Sequence, residues 1–301
     1  MTEHPSDLAL TAERRLLTGE SHRSLLAMME AGHDVQSIPE ASREQADLEA
    51  GIFLKTCKIG GLSAHPAGIL KVQPKSTTQL TIRLLDEPYV IHHWADHLLP
   101  ERHSRVTGYP EDQIGGLPGL RYRVGPRAIT LYRPGHDAEV RLTGFNTRWW
   151  TRISANAQSR RDILATESDW TDLEKAAHTS SQKYSADDAR LASPLLRRIR
   201  ATAGPGEINA TDAWTSGHSL RVETTDGPAC DQLVEVFNRS LGWQLERGWC
   251  GCRSSRRDGC CLNFKVPETG QEIDYSNLRW GRSADPRRLA HVAELNSLAF
   301  A

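Results

Sequence analysis

Four of the chain's six cysteines lie within Gly248 to Phe264, G-W-C-G-C-R-S-S-R-R-D-G-C-C-L-N-F, and no other stretch limits local structure as tightly. Apolar Trp243, Leu245, Trp249, Leu262, Phe264 and Val266 stand on both sides of a basic tip. This reads as a β-hairpin whose far end is pinned by sulfur, with cationic side chains held out in front. Alternation along a strand puts Cys250 and Cys252 on one face, whereas adjacent Cys260 and Cys261 point to opposite faces. A tetrahedral four-thiolate zinc site therefore needs a bulge or knuckle to turn the fourth sulfur inward.

Asp258-Gly259 is a two-residue turn signal. A tight hairpin there sets Arg257 opposite Cys260 and carries Cys252 away from the other sulfurs. One open loop from Arg253 to Gly259 instead brings Cys252 opposite Cys260 or Cys261. Four thiols at this spacing favour the open loop, with structural zinc on Cys250, Cys252, Cys260 and Cys261, and Cys230 or His218 as substitute ligands. The pattern lacks the C-x-x-C pairs of a zinc ribbon. A disulfide, which a reducing compartment disfavours, and buried free thiols therefore remain open.

The rest of the chain bounds what such a hairpin can belong to. At 301 residues there is room for two domains and a substantial core. No apolar run approaches the roughly 18 residues of a membrane span. Met1 to Leu10 shows no basic region followed by an apolar core, so a cytoplasmic protein is expected. A net charge of −1 excludes a uniformly basic nucleic-acid coat, so any such contact has to be local. Arginine greatly outnumbers lysine, which a G+C-rich, bacterial genome explains, unless clustering shows phosphate recognition.

Residues 1–55 read as a helical segment. Residues 8–32 give two short helices broken at Thr18-Gly19, with Ser21 as N-cap and Gly32 as stop, and Glu40 to Leu54 gives a third. Leu16-Leu17-Thr18-Gly19-Glu20-Ser21 followed by a helix resembles the helix–turn–helix half of ribbon-helix-helix antitoxins, over about twenty residues. That resemblance implies a DNA-reading strand just before it, a place held here by Asp7-Leu8-Ala9-Leu10. A plain helical hairpin or a dimerisation element is the alternative.

Residues 56–155 repeat one pattern: strand, turn, strand, helix. Residues 67–74 and 80–84 lead to a helix holding Trp94, and residues 128–133 and 138–142 to one holding Trp149 and Trp150. A further strand, 120–124, precedes the second unit. Alternation in Ile82-Arg83-Leu84 and Val140-Arg141-Leu142 puts one face on a core and one toward water. Residues 156–206 read as a polar helical connector. Residues 207–301 form a smaller α+β domain: strand 219–224, helix Cys230 to Leu241, the cysteine hairpin, strand 272–280 and a last helix over 287–298. The expected class is α+β, with antiparallel sheets, helices on one face and tandem β-hairpin–helix units.

No phosphate loop, nucleophile elbow or H-E-x-x-H motif is present. His93 and His97 stand four residues apart on a helix and share a face able to chelate a metal, with His65 or His103 as a third ligand. This is one route to a metal-dependent hydrolase, and Cys57 is a minor candidate nucleophile. The densest cationic cluster is Arg253, Arg256 and Arg257, with Arg279 and Arg282 nearby and Trp249 and Trp280 beside them, a composition suited to phosphate contact and base stacking. The leading expectation is non-enzymatic nucleic-acid binding, as a regulator or mobile-DNA accessory factor. Zinc stiffens the hairpin so that its arginines meet phosphates at small ordering cost. The alternatives are a protein–protein adaptor docking through the Trp-bearing units, as a heteromer or a homodimer, and the histidine-based hydrolase. No membrane partner is expected.

Overall fold

The computed structural model describes residues 5–35, 37–57, 65–103, 109–185, 188–203, 210–216, 219–225, 227–228, 230–241, 246–250, 259–266 and 270–278. Helices start and stop where side-chain chemistry directs. Helix α1 (Pro5–Thr18) ends before α2 (His22–Glu30), whose N-terminus is capped by Ser21 accepting from the Ser24 N–H. At its other end Gly32 sits at φ 80°, where the Gly32 and His33 N–H groups reach back to the carbonyls of Met29 and Met28. Ser42 caps α3 (Arg43–Thr56), and Asn146 caps α5 (Thr147–Arg160). Pro88 occupies the first turn of α4 (Pro88–Leu98), where its missing N–H costs nothing. Residues 7–10 lie inside α1, so the strand implied by the antitoxin resemblance is replaced by helix.

Strands β1 (Ile69–Pro74), β2 (Gln79–Leu84), β5 (Arg121–Val124), β6 (Ala128–Tyr132) and β7 (Glu139–Thr143) form one five-stranded sheet in the order β1-β2-β7-β6-β5. The expected antiparallel sheet is corrected to a mixed one. β2 and β7 run parallel, Thr81 opposite Arg141, while the other pairs are antiparallel. The physical reason is the connection after β2. Helix α4 carries the chain across the sheet to β5, and the β5-β6-β7 meander returns to β2, where only a parallel approach remains. Leu80, Ile82, Leu84, Ile129, Leu131, Val140 and Leu142 are buried under α4 and α5, with Trp94 and Trp150 fully enclosed.

The second sheet repeats this topology. β9 (Ala210–Ser216) and β10 (Ser219–Thr225) pair antiparallel. Helix α8 (Cys230–Leu241) leads to β11 (Glu246–Cys250), β12 (Gly259–Lys265) and β13 (Glu272–Leu278), and β13 lies parallel to β10. The order, β11-β12-β13-β10-β9, is that of the first sheet read from its other edge. The larger repeat is therefore helix-β-β-α-β-β-β, with α3 opening the first copy and α7 (Asp188–Arg197) the second.

The two opening helices pack on each other, and each touches a strand of both sheets. Residues 156–206 thus do more than connect. Leu191, Ala192, Leu195 and Leu196 of α7 are buried in the core shared by both halves, which a solvated spacer would leave exposed. Across the α3–α7 contact, buried Glu49 accepts from Arg197 Nε at 2.9 Å and Nη2 at 2.8 Å, from Ser193 Oγ at 2.6 Å and from Gln45 Nε2 at 2.8 Å. Three short strands, β3 (Glu101–Arg102), β4 (Ile114–Gly115) and β8 (Asp162–Ile163), form a small third sheet beside α6 (Asp172–Ser185). Among the described residues, no helix is long and apolar enough to cross a membrane.

Candidate functional site

The face of the first sheet turned away from α4 and α5 is set by strand alternation. In β2, Gln79, Thr81 and Arg83 point outward while Leu80, Ile82 and Leu84 point in; in β7, Glu139, Arg141 and Thr143 take the outward positions. Register then aligns rows across strands. Lys71 stands opposite Arg83 and then Thr143; Gln73 opposite Thr81, Arg141, Thr130 and Arg123; Gln79 opposite Glu139, Tyr132 and Arg121. The face therefore gathers Lys71, Arg83, Arg141 and Arg123, with Lys75 and Arg127 at the turns that bound it.

Glu139 is the one acid in these rows, and it is engaged. Its carboxylate pairs with Arg123, whose guanidinium also lies 4.5 Å from the centroid of the Tyr132 ring. Its backbone is fixed by Gln45 of α3, which accepts from the Glu139 N–H at 2.9 Å and donates to the Glu139 carbonyl at 3.1 Å. Arg83, Arg127, Arg141 and Lys75 form no ion pair among the described residues. Partial burial, with the Arg83 charge beside it, lowers the Lys71 ammonium pKa, and Glu20 opposes that shift. One corner is closed: Arg121 is buried, and both its Nη atoms donate to Glu174 of α6 at 2.9 Å.

A trough of about 200 Å³ runs along these strands. It extends from Lys75, at the β1–β2 turn, to Gly125-Pro126-Arg127, at the β5–β6 turn, floored by Thr81, Thr130 and Arg141. That is several times the ~30 Å³ share of one water molecule. The equivalent face of the second sheet differs in its described residues. Among the described residues, Arg221 is paired with Asp274 at 3.4 Å, and Glu223 and Glu272 outnumber the remaining Lys265. A shared topology thus presents two faces of different charge.

The other candidates are placed as follows. Arg253, Arg256, Arg257, Arg279, Arg282 and Cys252, with His218 and the last expected helix, lie outside the described residues. For Cys250, Cys260 and Cys261 the backbone alone is described: Cys250 stands opposite Leu262, Cys260 opposite Asn277 and Cys261 opposite Ser276. The Cys250–Leu262 pairing is the open-loop register and not that of a tight turn at Asp258-Gly259.

Both histidines of the pair are oriented by backbone carbonyls. His93 Nε2 donates to the Thr56 carbonyl at 2.8 Å, and His97 Nδ1 to the His93 carbonyl at 2.9 Å. Each bond fixes the tautomer of its ring and leaves the other nitrogen with its lone pair, so these contacts orient the pair without engaging both nitrogens. No group of three or more His, Cys, Asp or Glu suited to a metal occurs among the described residues. Cys57 is fully buried, and its thiol pKa is pushed far up by burial and by the Asp212 charge, the reverse of an activated nucleophile. Trp94 and Trp150 are core residues, Trp94 donating from Nε1 to the Ala67 carbonyl at 2.9 Å, whereas Trp149 beside them is only partly buried.

The chain matches no family model, no curated protein and no solved structure. The site rests on its own geometry. Its signal was present in the sequence as single basic residues at the polar positions of three strands, Ile82-Arg83-Leu84, Val140-Arg141-Leu142 and Tyr122-Arg123-Val124. No two of these arginines are close in sequence, so composition along the chain does not reveal the cluster.

Proposed function

We propose that this chain is a non-enzymatic nucleic-acid-binding protein, a regulator or an accessory factor of mobile DNA, that meets phosphates on the open face of its first sheet. One observation carries the reading. Lys71, Arg83, Arg123 and Arg141 share that face, Lys75 and Arg127 bound it, and two acids oppose them, Glu139 within the rows and Glu20 beside Lys71. In a chain of net charge −1 this is a local concentration of one sign, the form that polyanion contact takes. In this proposal the hairpin arginines Arg253, Arg256 and Arg257, with Arg279 and Arg282, add a second contact, and zinc on Cys250, Cys252, Cys260 and Cys261 stiffens their loop.

The test is fluorescence anisotropy with labelled oligonucleotides over a salt series. Six cations less those offset by Glu139 and Glu20 leave about four phosphate contacts on the sheet face, hence a log–log salt slope of about −2.8 to −3.6 from that face, steeper with the hairpin arginines engaged. From the sheet face alone, affinity then falls ~50- to 150-fold between 50 and 200 mM salt. The double substitution Arg83→Gln/Arg141→Gln flattens the slope by about 1.5. Absent or salt-indifferent binding refutes the proposal, and unchanged binding by the double variant removes the sheet face from it. Elemental analysis tests the metal separately, with stoichiometric zinc expected in the intact chain and its loss in Cys250→Ser/Cys252→Ser.

A further inference from the structure

We infer that the sheet face takes a single strand of nucleic acid rather than a duplex; this rests on the nucleic-acid reading above and names its ligand more closely. Five strands about 4.8 Å apart span roughly 19 Å. The major groove of a duplex is about 12 Å wide and admits a helix or a two-stranded ribbon. A five-stranded face cannot enter it, so the outward side chains in its middle, Thr81, Thr130 and Arg141, would not reach base edges. A single strand is under no such limit. It lies in the trough between Lys75 and Arg127, backbone toward the cations, with its bases free to turn onto the sheet.

The sheet also supplies a surface for those bases. Tyr132 is partly exposed on this face, and the Arg123 guanidinium is layered at 4.5 Å from its ring centroid. Ring and guanidinium are both planar groups on which an unpaired base stacks, and neither reads base identity. Glu139, on β7, pairs with Arg123 of β5 across the intervening strand β6 and holds it in that position. Stacking of this kind has no counterpart in a paired duplex, whose bases already stack on one another.

The experiment uses the full chain with a labelled twelve-nucleotide single strand, as DNA and as RNA, and a twelve-base-pair duplex, at one salt concentration. The single strand is expected to bind at least tenfold more tightly than the duplex. Tyr132→Ala is expected to weaken single-strand binding ~5- to 150-fold, the range for loss of one stacked base, and to leave duplex binding unchanged. Tyr132→Phe keeps the ring and restores single-strand affinity. A melting curve matching the parent shows that Tyr132→Ala still folds; if it does not, the single-strand to duplex ratio of the parent chain decides alone. Duplex binding equal to or tighter than single-strand binding, or a folded Tyr132→Ala with full affinity, overturns the inference while the nucleic-acid reading stands. Failure of every oligonucleotide to bind overturns both.

Discussion

Substituting Arg197 by leucine should destabilise the chain more than almost any other single change, because of what it leaves behind. Glu49 is fully buried and Arg197 is 1% exposed. Besides its bonds to Glu49, Arg197 Nη1 donates to the carbonyls of Pro39 and Ser76. In Arg197→Leu the Glu49 carboxylate keeps Gln45 and Ser193 but loses its charge partner in a site without water access. Breaking a buried pair from one side costs about 3–5 kcal/mol. In a chain of this size that lowers the melting temperature by on the order of 10 °C. In Glu49→Leu/Arg197→Leu no buried carboxylate remains, so the double variant should cost no more than Arg197→Leu alone. The assay is urea denaturation followed by circular dichroism, which reports backbone structure, and by the summed fluorescence of the eight tryptophans, which lie in both halves of the sequence. Because α3 and α7 each contact both sheets, the two signals should shift together. A cost below about 1 kcal/mol for Arg197→Leu, or single-variant costs that simply add in the double, would refute a coupled buried pair.

Three further outcomes are expected. Burial alone would raise the Glu174 pKa, but hydrogen bonds from Arg121 and from the Thr171 and Gly119 N–H groups, with the Arg121 charge, outweigh it and hold the carboxyl below its usual range. A depressed carboxyl stabilises the fold above its unfolded pKa and loses that contribution as pH falls through the folded value; melting temperature against pH should therefore drop less steeply on the acid side in Glu174→Gln, and parallel curves would contradict this. Gly116 has φ 67°, and an added Cβ would lie 2.2 Å from the Leu99 carbonyl oxygen, so Gly116→Ala should cost more than about 1 kcal/mol, measured by denaturant midpoint. Cys57 should resist a thiol reagent in the native chain and react once denaturant is added; peptide mapping that finds it labelled under native conditions would place it outside the core.

Local structure was legible where side-chain spacing is itself the cause. Alternation in β2 and β7, the Ser21 cap, the stop at Gly32 and the bounds of α8 follow from interactions between near neighbours in the chain, which a sequence displays directly. The parallel β2–β7 pair was not legible, because it depends on where α4 sets the chain down. The role of α7 was hidden for a similar reason. Its sequence, D-A-R-L-A-S-P-L-L-R, looks half polar, but Ser193 and Arg197 are buried against Glu49, a partner more than 140 residues earlier. Strand β9, A-T-D-A-W-T-S, alternates too weakly to stand out and is held by pairing with β10.

By itself, then, the amino-acid order determined the helices and strands with clear periodicity and which side of those strands faces water. It also determined that any cationic surface must be local in a nearly neutral chain. Only the tertiary structure decided that arginines far apart in sequence share one face, and that the same topology built twice gives a basic face in one half and, among the described residues, a slight excess of acids in the other. Strand register is the reason: it turns positions tens of residues apart into neighbours about 5 Å apart, and the charge of a surface is a property of those neighbours.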